Sequence, residues 1–157
     1  MILGRSAISM AIGIWSIVEQ AVAQHASNNR AKGAPITKNV SMTRAVYTKL
    51  LREKVFPAIR KKWPGRKTTT IMVQQDNAGP HVQDDNADIL EAGQEGGWDI
   101  QMVSQPPRSP DMNVLDLGFF LFVAVATIQD TFDTDGLIAA VKSSFAKVSY
   151  HTLEKCF

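Results

Sequence analysis

Apolar positions change their period several times along the chain, and each change marks an element. Ile12 to Val22 is rich in Ile, Val and Trp and predicts a strand. Residues 25–40 are polar, contain Gly33 and Pro35, and predict a loop. Ser41 is placed to cap the next segment, where Val46, Leu50, Leu51, Val55, Phe56 and Ile59 recur at helical spacing. Arg44, Arg52, Lys54, Arg60, Lys61 and Lys62 fall largely on other faces, so residues 42–62 predict an amphipathic basic helix that stops near Pro64-Gly65. Pro57 is expected to kink or interrupt it, because proline removes an internal hydrogen bond. Thr68 to Gln75 reads as a short buried strand. Asp84 then caps a helix running to about Gln94, ended by Gly96-Gly97, and Trp98 to Val103 forms another strand. Three prolines make Gln105 to Pro110 an extended loop. Asp111 caps a strongly apolar helix from about Met112 to Ile128, and a last helix covers Thr134 to Lys147. The order β-α-β-α-β-α-α implies an α/β sheet with helices packed on it, with Trp63 and Trp98 in the core.

Composition narrows this picture. A chain of 157 residues, 45% of them apolar, is sized for one domain with a sizeable core. The single cysteine, Cys156, excludes an internal disulfide. No apolar run reaches the roughly 18 uncharged residues of a membrane span. The net charge of +2 hides a split. Residues 1–75 carry 13 Lys/Arg against only Glu19 and Glu53, a surplus of 11 positive charges. Residues 76–157 carry 4 Lys/Arg against 13 acids, a surplus of nine negative charges. A basic half beside an acidic half fits a polyanion-binding surface next to a cation-binding site, and equally two solvated faces of opposite sign. Arg52, Arg60, Lys61, Lys62, Arg66 and Lys67 are the candidate phosphate contacts. Near the N-terminus, Arg5 followed by Ala7 to Val18 and Ala21-Val22-Ala23 has the outline of a signal peptide. Ser9, Gly13, Trp15, Ser16 and Glu19 interrupt that outline, which leaves a small secreted protein as the less favoured alternative.

Two segments carry candidate chemistry. In Gln74-Gln75-Asp76-Asn77-Ala78-Gly79-Pro80-His81 an aspartate stands at the C-terminal end of a buried strand, the edge at which α/β sheets bind ligands. In Ser109-Pro110-Asp111-Met112-Asn113-Val114-Leu115-Asp116-Leu117-Gly118-Phe119-Phe120, Asp116 interrupts an apolar helix. A carboxylate there is costly to bury unless something pairs with it, and a divalent cation is one solution. Taken singly, Asp76 reads more readily as a turn residue and Asp116 as a solvent-facing one.

Together the two segments resemble the catalytic domain of mariner-superfamily DNA transposases. The shared pattern is a strand ending in Gln-Gln-Asp-Asn-Ala-x-Pro-His, followed by Gln-Pro-Pro-x-Ser-Pro-Asp-x-Asn-x-Leu-Asp. The 39 residues between Asp76 and Asp116 resemble the long-spacing, all-aspartate branch of plant and similar elements. Gly13-Ile14-Trp15 and Lys54-Val55-Phe56-Pro57-Ala58-Ile59-Arg60 extend the likeness to roughly residues 11–150 of a single domain spanning 1–157. The resemblance implies an α/β, RNase H-like fold in which Asp76 and Asp116 are the second and third metal-binding acids, with Mg²⁺ or Mn²⁺ as cofactor. Asn77 and His81 are candidates to orient the group bound at Asp76, His81 reading otherwise as a loop histidine. It further implies DNA and a second copy of the chain, as a homodimer, as partners, and a nuclear location, without a membrane. In such a triad two metal ions clamp the attacking and leaving oxygens of an in-line phosphoryl displacement.

The chain departs from that pattern in one respect. The first acid belongs to a central strand tens of residues before Gly13, and no aspartate precedes Asp76. Glu19 reads as a solvated strand residue and not as a substitute. The expectation is an incomplete domain, first central strand missing, whose strand at Thr69 to Gln75 lacks a neighbour, and which is inactive in strand cleavage and transfer. A non-catalytic nucleic-acid-binding or interaction remnant is the alternative.

Overall fold

A computed structural model of the chain describes residues 12–28, 30–109 and 133–148. Within them lie two sheets of two strands each. β1 (Val18–Val22) and β2 (Pro35–Asn39) form an antiparallel hairpin in which Val18 faces Asn39 and Val22 faces Pro35. β3 (Ile71–Gln75) and β4 (Ile100–Ser104) run parallel, with Ile71 beside Ile100 and Gln75 beside Ser104. The mixed α/β class expected from the sequence is therefore present.

β2 occupies part of the span expected to be a loop. Its residues escape a hydrophobic reading because the hairpin is solvated on much of both faces. Pro35 sits at the first position of the strand, where a missing N–H is tolerated. The chain returns through Gly33, which adopts φ +84° and donates its N–H to the Ala23 carbonyl at 2.8 Å. β1 is also shorter than expected, starting at Val18 and not at Ile12. Glu19 is exposed on it, opposite Lys38, in keeping with a solvated strand residue.

The basic helix is continuous but not uniform. α1 (Arg44–Leu50) passes into a π-helical turn (Leu51–Val55) and then α2 (Phe56–Lys62). Pro57 explains the change. It has no N–H to donate, and its ring would crowd the carbonyl four residues back. Widening the preceding turn, so that Phe56 N–H donates to the Leu51 carbonyl, absorbs the proline without breaking the helix. The expected kink is thus replaced by a π turn. The helix starts on Thr43, whose Oγ1 accepts from Val46 N–H at 3.3 Å, and not on Ser41.

α3 (Ala87–Gln94) is capped by Asn86, whose side chain accepts from Ile89 N–H at 3.2 Å. Asp84, expected at that position, is turned toward β4 instead. α3 ends in a 3₁₀ turn (Glu95–Gly97), where Gly96 and Gly97 take φ of +69° and +78°. The Arg60 guanidinium donates to the Ala92 carbonyl and pairs with Glu95 at 2.7 Å, closing the C-terminal end of α3. At Gly93 the helix backbone lies against β4 so closely that a Cβ there would stand 2.1 Å from the Ile100 carbonyl oxygen. α4 (Thr134–Ala146) begins on Asp133, which accepts from Gly136 N–H at 2.6 Å. It is tied to β2 by the Thr37 hydroxyl donating to Asp135 at 2.6 Å.

The core gathers on one face of the parallel pair. Leu51, Phe56, Ile59, Ile71, Val73, Val82, Ile89, Ile100 and Met102 form a single buried cluster, with Trp63 and Trp98 packed against it as expected. The opposite face of the same strands carries the exposed side chains of Met72 and Val103. No helix among the described residues is long and apolar enough to cross a membrane. The apolar helix expected from Met112 to Ile128, and with it Asp111 and Asp116, lies outside the described residues.

Candidate functional site

The alternation of β3 delivers the site. Ile71, Val73 and Gln75 point into the core, and the strand ends at Gln75. Gln105 N–H donates to the Gln75 carbonyl at 2.8 Å, so both parallel strands finish together. Asp76 is the next residue, exposed at the carboxyl edge of the pair. Its backbone has left the strand, and its Oδ1 accepts from Ala78 N–H at 2.9 Å, an Asx turn. His81 N–H donates to the Ala78 carbonyl at 2.9 Å and closes the next turn over Gly79-Pro80.

That turn folds His81 back on Asp76. Nδ1 of His81 lies 2.8 Å from Asp76 Oδ1 and 2.8 Å from the Asp76 carbonyl. Both carboxylate contacts thus fall on one oxygen. The carboxyl group is therefore held from one side, with its other oxygen left toward solvent. Asn77 Nδ2 donates to the Gln105 carbonyl at 2.8 Å and ties the Asp76 loop to the segment following β4. Asn77 and His81 accordingly lie where they touch or brace Asp76.

Two further contributors were not singled out in the sequence. Tyr47, on α1, stacks on His81 with ring centroids 4.4 Å apart. Burial, reinforced by the negative charge of Asp76, pushes its phenol up to about 12. Only the helical phase of Tyr47 relative to Val46 and Leu50 hints at this, since it places the ring toward the sheet. The second is Asp84, which accepts from Ser104 N–H at 2.9 Å and from the Ser104 hydroxyl at 2.6 Å. Gln75 Nε2 donates to the Val82 carbonyl at 2.6 Å and also approaches Asp84 and Ser104. This network joins the ends of β3 and β4 beneath Asp76. No spacing rule in the sequence links residues 75, 84 and 104.

The basic candidates divide. Arg52, Lys61, Lys62, Arg66 and Lys67 are exposed. Arg60 is largely buried and engaged with α3. Lys62 donates to the Ile12 carbonyl at 2.7 Å, and Lys67 sits 6.0 Å over the Trp98 ring.

Among the described residues no group of three His, Cys, Asp or Glu side chains is placed to hold a metal ion. The donors at the described part of the site, a half-exposed carboxylate with neighbouring carbonyl oxygens, are hard oxygen ligands. They suit a single hydrated Mg²⁺, which is commonly held through one or two carboxylates. The chain matches no protein-family model, and no curated protein or solved structure matches it.

Proposed function

We propose that this chain is part of a transposase-type catalytic domain of RNase H-like fold, related to Mg²⁺-dependent DNA strand cleavage and transfer, and that alone it does not cleave DNA. The observation that carries this reading is the position of Asp76. It stands at the carboxyl edge of a parallel strand pair, held by His81 and braced by Asn77 within the motif that resembles the transposase pattern. In this reading Asp76 and Asp116 together hold one hydrated Mg²⁺ or Mn²⁺. The 157 residues contain no aspartate before Asp76 to bridge a second ion, so by themselves they do not clamp both the attacking and leaving oxygens. A nuclear location and a homodimer accompany the reading as family expectations.

The test is a nicking assay with Mg²⁺ or Mn²⁺ on the 157-residue chain, beside an Asp116→Ala variant. Background-level cleavage by both is expected. Metal-dependent nicking lost in the variant overturns the inactivity. Mn²⁺ added to isotopically labelled chain is expected to broaden the amide signals of residues 76 and 116 together. Broadening at 76 alone separates the two acids and removes the assignment.

A second reading, non-catalytic nucleic-acid binding, is favoured by the exposed cations Arg52, Lys61, Lys62, Arg66 and Lys67 around the π turn and the end of α2. Weak, sequence-independent DNA binding that falls steeply with salt is expected, since phosphate neutralisation releases counterions. No affinity at low salt, or affinity indifferent to salt, removes it.

A further inference from the structure

A cleft of about 380 Å³ opens between the hairpin, the π turn and α4, away from Asp76. Its apolar lining is Ile14, Trp15, Val18, Leu50 and Ile138. Two cations, Lys54 from the π turn and Lys142 from α4, also line it, and neither forms an ion pair with a described residue. The polar side is a chain of contacts in which Gln20 donates to Thr37 at 3.1 Å and Thr37 donates to Asp135 at 2.6 Å. The Trp15 ring packs back over Gly13, where any Cβ would stand 2.6 Å from a ring carbon, so the absence of a side chain at 13 sets the position of the ring.

We infer that this cleft binds a mononucleotide unit, with its base against Trp15 and its phosphate between Lys54 and Lys142. The size lies within the range of small-molecule sites, which are mostly apolar with a few placed polar groups. An aromatic wall accepts any base, because every base has a π face. The two ammonium groups call for a compact anion on the same ligand, and Asp135 with Gln20 can accept from the N–H groups of a base, such as the 6-amino group of adenine. Lys54 lies within the π turn, and such turns occur frequently at functional sites. The inference is independent of metal chemistry at Asp76. The same chemistry is offered by a free nucleotide and by an unpaired nucleotide within a strand.

The experiment titrates isotopically labelled full chain with adenosine 5′-monophosphate, with adenosine, and with a short single-stranded oligothymidylate. The three indole N–H signals are read, that of Trp15 being identified by its loss in Trp15→Phe. AMP is expected to shift the Trp15 signal and leave those of Trp63 and Trp98 in place. Adenosine is expected to bind roughly tenfold more weakly, as two contacts to solvent-exposed ammonium groups are lost. Lys54→Gln combined with Lys142→Gln is expected to weaken AMP by a similar factor, while Asp76→Asn leaves it unchanged. Preference for the oligonucleotide over AMP identifies a strand as the source, and the reverse identifies a free nucleotide. Equal affinity for AMP and adenosine overturns the inference without any variant. Shifts confined to Trp63 or Trp98, or no binding of any of the three ligands, overturn it as well.

Discussion

The parallel pair and the hairpin are both two-stranded, yet they are built on different physics. β3 and β4 bury alternate side chains into one cluster with α2 and α3, and nine apolar residues of the core belong to it. The hairpin contributes almost none of that burial; Ala23, just past β1, is its one buried apolar residue. It is held by its own ladder and by single polar ties such as Thr37 to Asp135. Asp76 sits on the packed unit, where a neighbouring network fixes the strand ends. The cleft sits on the hairpin, where less apolar burial opposes adjustment. Asp76 and the cleft thus lie on regions that differ in how much apolar surface they bury.

The largest expected effect tests whether the packed unit carries the stability. Phe56 is fully buried in the cluster, so Phe56→Ala should cost about 3–5 kcal/mol, the range for large-to-small changes in a core. Val22, more than half exposed on the hairpin, should tolerate alanine at a cost of about 0.5 kcal/mol or less. Urea unfolding of the two variants measures both. A Val22→Ala loss as large as that of Phe56→Ala would remove the distinction between the regions. Gly93→Ala comes next. The new methyl meets the backbone carbonyl of Ile100, which cannot rotate away, and α3 must lift from β4. A loss of about 1–3 kcal/mol is expected, as for overpacking elsewhere.

How far the sequence revealed each region follows from the same contrast. β3, β4 and α3 were legible because burial imposes a period on their side chains. Asp76 was legible because it ends such a strand inside a long motif. β2 was not, since its two half-buried residues, Ile36 and Thr37, are adjacent and so lie on opposite faces, while Pro35, Lys38 and Asn39 are exposed, which leaves no alternation to read. Capping positions shifted by two residues, from Ser41 to Thr43 and from Asp84 to Asn86, because several polar residues precede each helix. Only the fold shows that Asp84 is taken by Ser104. Tyr47 and His81 are 34 residues apart in the chain, and no local pattern brings them together.

That stack has a pH signature. The Tyr47 phenol is raised to about 12 in the folded chain, against an ordinary value near 10. Above pH 10 the unfolded chain loses this proton and the folded chain keeps it, so the unfolded state gains. The stabilisation is fully present below about pH 10 and is lost as pH rises through about 12. Stability measured across this alkaline window should fall less steeply in Tyr47→Phe. An unchanged slope would place the phenol in water and away from the charge of Asp76.

The smallest effect bears on whether the hairpin unfolds with the rest. Gly33 differs from Gly93 in kind: a Cβ at Gly33 would touch nothing within 4 Å, but its φ is +84°. Gly33→Ala therefore introduces backbone strain without a clash, about 1–2 kcal/mol for a residue with a β-carbon in that region. Gly33→Asn should cost less, because asparagine enters the left-handed region more readily. If the hairpin and the packed unit form one cooperative structure, the strain appears in the global unfolding midpoint and ranks alanine below asparagine. If the hairpin opens by itself, the midpoint stays where it was. The loss then appears in hydrogen exchange at Gly33 and Ala23, whose N–H groups bond to the Ala23 and Ala34 carbonyls at 2.8 and 2.9 Å. The thin burial of β1 and β2 favours the second outcome, because local opening follows where few apolar contacts oppose it. A midpoint shift equal to the full strain would instead show that polar ties such as Thr37 to Asp135 suffice to couple the two regions.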